Sequence, residues 1–251
     1  MSIVYRVGPY WRGYGGIKSI IVFGDSYSHV GYHSQAPPPT SARPLGVASP
    51  GLTVNEPGYP NWVGHLITAH THGQSNILVY DYAVRGDTAP GVSRQITEQF
   101  LPTVGRRPRY TQSRGEIAGI LATLFAAQEQ LYGAGARNFL FVDVPPIHRS
   151  PIGTQPGLTD YFTPFAIWNE ELRRAVAAFA ASHADVTAMV YSSWATFSRV
   201  LDNPAAYGFN PQDVRVQGGS IWFDHIHPTT RLASIVADEI AHFLAAQAPT
   251  A

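Results

Sequence analysis

The sequence predicts one α/β domain spanning residues 1–251, a three-layer α/β/α sandwich built on a short parallel sheet. Three observations point there. Short apolar runs rich in β-branched residues recur along the chain, most of them stopped by Gly, Pro or Asp. Between them lie longer stretches with apolar residues at helical spacing. The length, 251 residues with 45% hydrophobic, suits one domain with a sizeable core and is short for two.

The elements follow in order. Ser19 to Phe23 reads as a strand buried on both faces, broken by Gly24-Asp25-Ser26. Residues 33–60 carry Pro37-Pro38-Pro39 and Pro57-Gly58-Tyr59-Pro60, which predicts a long ordered loop over one end of the sheet. Asn61 is placed to cap a helix carrying Trp62, Val63, Leu66 and Ile67. Ile77 to Ala83 is a second strand, ended by Arg85-Gly86-Asp87. A short helix covers 91–100, and a basic loop over 102–114 holds Arg106, Arg107, Arg109 and Arg114. Ile117, Ile120, Leu121, Leu124, Phe125 and Leu131 predict a helix over 116–133, stopped by Gly133 and Gly135. Phe139 to Val144 is a third strand before Pro145-Pro146. A helix over 164–182, a strand from Val186 to Tyr191, a helix over 193–201 and a closing helix from Leu232 to Leu244 complete the chain.

Composition narrows the chemistry. Lys+Arg and Asp+Glu are both 17, so nothing favours nucleic acid or an anionic membrane as partner. The absence of cysteine excludes disulfides, thiolate catalysis and Cys-based zinc sites. His70 and His72 stand at metal-pair spacing without a nearby carboxylate or third His, so no metal is expected. No run approaches the roughly 20 apolar residues of a membrane span. Arg6 and Arg12 precede no apolar run of signal-peptide length, which leaves the compartment open: cytoplasmic, or secreted if a signal peptide has been removed. Nothing in the sequence sets the oligomeric state.

In parallel α/β sheets, sites lie beyond the carboxyl ends of the strands. Ser26 directly follows the first strand, and Gly86 follows the second. Asp224 and His227 sit three residues apart on the segment feeding the last helix. A nucleophile, a base and an orienting carboxylate are what acyl transfer through serine requires. The N–H groups of Ser26 and Gly86 are candidate oxyanion donors. Blander readings stand beside these. Ser26 could simply cap a helix, the Arg106–Arg109 run is most often a solvated loop, and aromatics are more often core than pocket. Trp222, Tyr59 and Arg85 are the candidate substrate-binding residues, Trp222 because it lies two positions before Asp224.

Phe23-Gly24-Asp25-Ser26-Tyr27-Ser28, Tyr82-Ala83-Val84-Arg85-Gly86-Asp87 and Asp224 through Thr229 resemble three motif blocks of the GDSL, or SGNH, serine hydrolases. Pro60-Asn61-Trp62-Val63, Gly135-Ala136-Arg137-Asn138-Phe139 and Val144-Pro145-Pro146 extend the likeness, which is greatest to the fungal branch that includes carbohydrate acetylesterases. Ser26 is not in a Gly-x-Ser-x-Gly context, so the α/β-hydrolase elbow is a poor template. The resemblance implies a flavodoxin-like SGNH fold and a serine esterase acting on small acyl esters, acetyl on carbohydrates above all. It implies Ser26 as nucleophile, His227 as base, Asp224 as its orienter, and no cofactor or metal.

The sequence also departs from that family. A Gly-x-Asn-Asp block, whose Asn is a third oxyanion donor, has no counterpart: there is no Asn between Asn76 and Asn138. This predicts a sheet lacking one central strand. Arg85 stands where Gly is usual, and His29 where an acidic residue is common. Arg85 or the Arg106–Arg109 loop is a candidate replacement donor. A second reading stays open: a non-hydrolytic or inactive protein on the same scaffold, binding a carbohydrate or small metabolite.

Overall fold

The computed structural model describes residues 1–71, 77–103, 117–155 and 164–250. Among these residues five strands are formed: β1 (Ile3–Arg6), β2 (Ser19–Val22), β3 (Leu78–Asp81), β4 (Asn138–Val142) and β5 (Thr187–Tyr191). The helices are α1 (Trp62–Thr68), α2 (Ala89–Arg94), a short α3 (Leu101–Thr103), α4 (Ile117–Gly133), α5 (Pro164–Ser182), α6 (Ser193–Asp202) and α7 (Thr230–Ala245). The mixed α/β architecture is as the alternation of patterns predicts.

β5 shows why helices cover both faces. All five of its residues are buried. Successive side chains of a strand point to opposite faces. Met189 and Tyr191 accordingly join Phe197 and Val200 of α6 and Leu232, Ala237 and Ile240 of α7. Ala188 and Val190 join Leu121 and Leu124 of α4 and Leu172, Val176 and Phe179 of α5. A third cluster packs Val22 of β2 and Val79 of β3 against Val30, Tyr32, Leu45 and Val63. The long loop therefore helps to build this core, because Leu45 is only 2% exposed.

The sheet corrects one expectation. It is not purely parallel: β2 pairs with β3 and β4 with β5 in parallel, while β1 runs antiparallel to β5. β1 escaped the sequence reading because it is only four residues, half-buried throughout, and interrupted by a register shift between Val4 and Arg6. Among the described residues the strands form two separate sheets, β1-β5-β4 and β2-β3. β2 and β4 each have one strand partner there, which is how a sheet without a central strand would end. Ile21 of β2 and Val142 of β4 are 42% and 41% exposed, as edge positions are.

Other expectations shift by small amounts. The helix over 91–100 begins at Ala89 as α2 and then widens into a π-helical turn, Gln95–Phe100. Such turns are uncommon and often mark functional sites. Asn61 caps α1 as predicted, its Oδ1 accepting the N–H groups of Val63 and Gly64. Most of the basic loop over 102–114, with Arg106, Arg107, Arg109 and Arg114, lies outside the described residues, as does His72.

Candidate active site

Ser26 lies on the turn that leaves β2, where the chain passes from a paired strand into solvent. The turn is closed by Ser28 and His29, whose N–H groups both donate to the Asp25 carbonyl at 3.1 Å. The Asp25 carboxylate accepts the Tyr27 N–H at 3.0 Å. Aspartate in such turns bonds its own backbone two residues on, so Asp25 orders the turn.

Asp224 and His227 lie on the reversal that precedes α7. Phe223 N–H donates to the His227 carbonyl at 2.9 Å, and Thr229 N–H to the Ile221 carbonyl at 2.9 Å, so the reversal is pinned at both ends. Asp224 Oδ1 accepts the Ile226 N–H at 2.8 Å and the His227 N–H at 2.7 Å. Its other oxygen lies 2.7 Å from His227 Nδ1. His227 Nε2 lies 2.8 Å from Ser26 Oγ. Residues 201 positions apart thus form one hydrogen-bonded chain from carboxylate to imidazole to hydroxyl.

The electrostatics fit that chain. Burial pushes the Asp224 carboxyl up, but the His227 and Ile226 N–H groups and the His227 ring outweigh it, so its pKa lies below the ordinary carboxylate value. Asp224 therefore stays ionised at neutral pH and holds Nδ1 as the donor, leaving Nε2 free to accept a proton. Tyr27 packs its ring on His227 at 5.7 Å and donates its hydroxyl to the Ile226 carbonyl at 2.7 Å. Burial raises the Tyr27 pKa well above its usual value, so it remains a neutral donor. Nothing in the sequence marked Tyr27 beyond its place next to Ser26.

The two candidate oxyanion donors also stand ready. The Ser26 and Gly86 N–H groups make no hydrogen bond to another described residue. Gly86 has φ +83°, a left-handed conformation that suits glycine. The two turns are tied together, since Val84 N–H donates to the Gly24 carbonyl at 3.1 Å.

The three substrate-binding candidates fare differently. Trp222 is corrected: it is 0% exposed, packs on Phe197 at 6.0 Å and donates its indole N–H to the Val214 carbonyl. It braces the Asp224 reversal from within the core and presents no surface to a ligand. Tyr59 is 56% exposed on the long loop, next to Pro60, whose carbonyl accepts the Thr230 hydroxyl. Arg85 is exposed beside Gly86. His225 is exposed, and its carbonyl accepts the Ile152 N–H at 2.9 Å. His29 turns Nδ1 onto the Ala83 carbonyl at 2.8 Å. Among the described residues no group of three or more His, Asp or Glu is arranged to hold a metal, and no helix is long and apolar enough to cross a membrane.

No protein-family model matches the chain. An acetylesterase of Thermothelomyces thermophilus is 28% identical to it, covering 89% of this chain and 87% of that protein. Among solved structures, the chain is similar to Est24, a carbohydrate acetylesterase from Sinorhizobium meliloti, at 16% identity and a TM-score of 0.48, over 91% of this chain and 99% of that one. It is also similar to the psychrotrophic esterase EstA from Pseudoalteromonas sp., at 12% identity and a TM-score of 0.47, over 90% and 95% of the two chains.

Proposed function

We propose that this chain, which resembles the GDSL/SGNH-type serine hydrolases over most of its length, is a carboxylic ester hydrolase that removes small acyl groups, acetyl foremost, from carbohydrate esters. The observation that carries the mechanism is the unbroken chain of hydrogen bonds from Asp224 through His227 to Ser26 Oγ.

In this reading Ser26 Oγ attacks the ester carbonyl carbon while His227 Nε2 takes the hydroxyl proton. The carbonyl oxygen gains the negative charge and is met by the Ser26 and Gly86 N–H groups. The tetrahedral intermediate collapses, the carbon–oxygen bond to the alcohol breaks, and His227 returns its proton to the leaving alkoxide. An acyl-serine remains. Water then attacks it with His227 again as base, releasing the carboxylic acid and restoring the Ser26 hydroxyl. Asp224 stays ionised throughout and stabilises the imidazolium that forms twice per turnover. Removing the base–nucleophile unit leaves only binding and the oxyanion donors, which supports the size of the expected loss.

The decisive comparison is p-nitrophenyl acetate hydrolysis by the wild-type protein and by Ser26→Ala. We expect the variant to lose at least about 10³-fold in kcat. A serine-reactive fluorophosphonate should label the wild type and not the variant. Equal hydrolysis by the two proteins would remove the esterase reading and favour ligand binding without chemistry.

A further inference from the structure

Gln95 opens the π-helical turn that follows α2 and is only 1% exposed. A buried amide needs partners for both its ends. Gln95 finds them on two different turns. Its Oε1 accepts the Gly24 N–H at 2.9 Å, and its Nε2 donates to the Gly24 carbonyl at 2.8 Å. The same Nε2 donates to Asp87 Oδ2 at 2.7 Å. Gly24 stands two residues before Ser26, and Asp87 directly follows Gly86. One side chain therefore grips the nucleophile turn and the Gly86 turn together.

Two of those bonds have a simple structural use. Gly24 lies just past the last paired residue of β2, where its carbonyl accepts the Val84 N–H and the regular ladder with β3 stops. A neighbouring strand would offer it one acceptor and one donor, and a side-chain amide carries both. Satisfying the Gly24 backbone does not require the third bond, to Asp87. That bond fixes Asp87, whose N–H is in turn held by the Val84 carbonyl at 3.1 Å, across the residues that flank Gly86. The packing is close: a Cβ on Gly91 would come within 2.3 Å of the Asp87 carboxyl, so a larger residue there would displace that carboxyl. Arg94 stands 3.8 Å from the other Asp87 oxygen.

We propose that Gln95 is a positioning residue for ester hydrolysis, setting the separation between the Ser26 and Gly86 N–H groups that receive the oxyanion. This rests on the esterase reading. Oxyanion donors act through exact placement, so a loosened clamp should slow the chemical step more than it weakens ground-state binding.

The test compares wild type, Ser26→Ala, Gln95→Leu and Gln95→Glu with p-nitrophenyl acetate, together with amide exchange at Gly24. Gln95→Leu keeps the apolar stem and removes all three bonds. Its kcat should fall about 10- to 100-fold, in the range of a partly lost oxyanion donor, with KM changed less than about twofold. Its Gly24 amide should exchange faster. Gln95→Glu keeps the shape but sets a carboxylate against the Gly24 carbonyl and Asp87, with Arg94 and Asp25 as the other charges nearby. Its rate relative to wild type should recover as pH falls and the new carboxyl regains a proton to donate, a change that lost packing alone would not produce. A folded Gln95→Leu with wild-type kcat overturns the proposal. If that variant does not fold, a Gln95→Glu ratio that is flat with pH overturns it instead. Parity between wild type and Ser26→Ala overturns the esterase reading, and the catalytic role of Gln95 with it. Unchanged Gly24 exchange in Gln95→Leu overturns the clamp by itself.

Discussion

Asp224 does two things with two oxygens, and substitution separates them. One oxygen takes two backbone N–H groups and shapes the reversal; the other faces His227 Nδ1. Asp224→Asn keeps an acceptor for the turn but turns a donor toward Nδ1, forcing the ring into the wrong tautomer. We expect kcat to fall by about 10³–10⁴ while the fold survives, checked by steady-state kinetics beside circular dichroism. Because the Asp224 pKa is lowered, its stabilising share is present above the usual carboxylate value and is lost only as pH falls through its depressed one. Any acid limb near neutrality therefore belongs to another group. Trp222 makes the opposite case. As a fully buried residue, Trp222→Ala should cost about 3–5 kcal/mol of stability, read by urea unfolding. Had it lined a pocket, the variant would instead raise KM with little loss of stability. The meeting of Ser26, Asp224 and His227 was legible in the sequence because their residue types and positions suit one hydrogen-bonded chain. Gln95 and Tyr27 were not, since their partners are backbone atoms 71 and 199 positions away. Trp222 misled because proximity along the chain says nothing about which way a side chain faces.

The element that most directly joins loop to site is α7. Its N-cap Thr229 makes no side-chain cap bond, and the Glu56 carboxylate from the long loop accepts the Thr230 N–H at 2.7 Å instead. A carboxylate there also suits the positive end of the helix dipole. Thr230 donates its hydroxyl to the Pro60 carbonyl and meets His65 Nε2 of α1 at 2.8 Å. His70 bridges Ser234 and Asp238 one and two turns further along α7. Burial lowers the His65 pKa, and the neighbouring His70 lowers it further, while its bond to Thr230 opposes. The unfolded chain therefore takes up that proton more readily, and stability falls as pH drops below the ordinary histidine value of 6.5. His65→Gln should lose less thermal stability than wild type between neutral pH and the folded His65 pKa, as read by melting curves across that range. A steeper loss in the variant would count against the assignment. The strands and long helices were readable at this scale because β5 and α5 are continuous apolar or amphipathic runs. β1 was not, having four half-buried residues that only the β5 edge makes into a strand. The π-helical turn was also invisible, because Gln95–Phe100 carries a helical pattern and only its hydrogen bonding distinguishes it.

At the scale of the whole molecule, the described residues form two sheets, and the candidate site is shared between them. Ser26 and Gly86 follow strands of the β2–β3 sheet. His227 precedes α7, whose apolar face packs on β5 of the other sheet. The 2.8 Å contact between Ser26 and His227 therefore depends on how the two parts dock. Across the described residues, the packing of α1 on α7 does much of that docking. Leu66 is the α1 side chain that enters the core with Ala237, Ile240 and Leu244 of α7, and it is 2% exposed. Removing its branched end leaves a void between the two parts rather than within either one. Leu66→Ala should cost about 2–5 kcal/mol in urea unfolding. It should also lower kcat although the residue touches no member of the hydrogen-bonded chain. A substitution of like volume loss inside one part, Leu172→Ala on α5, should cost stability without a matching loss of kcat. Equal effects of the two variants on kcat, at equal loss of stability, would show that docking through α1 and α7 has no special bearing on the site.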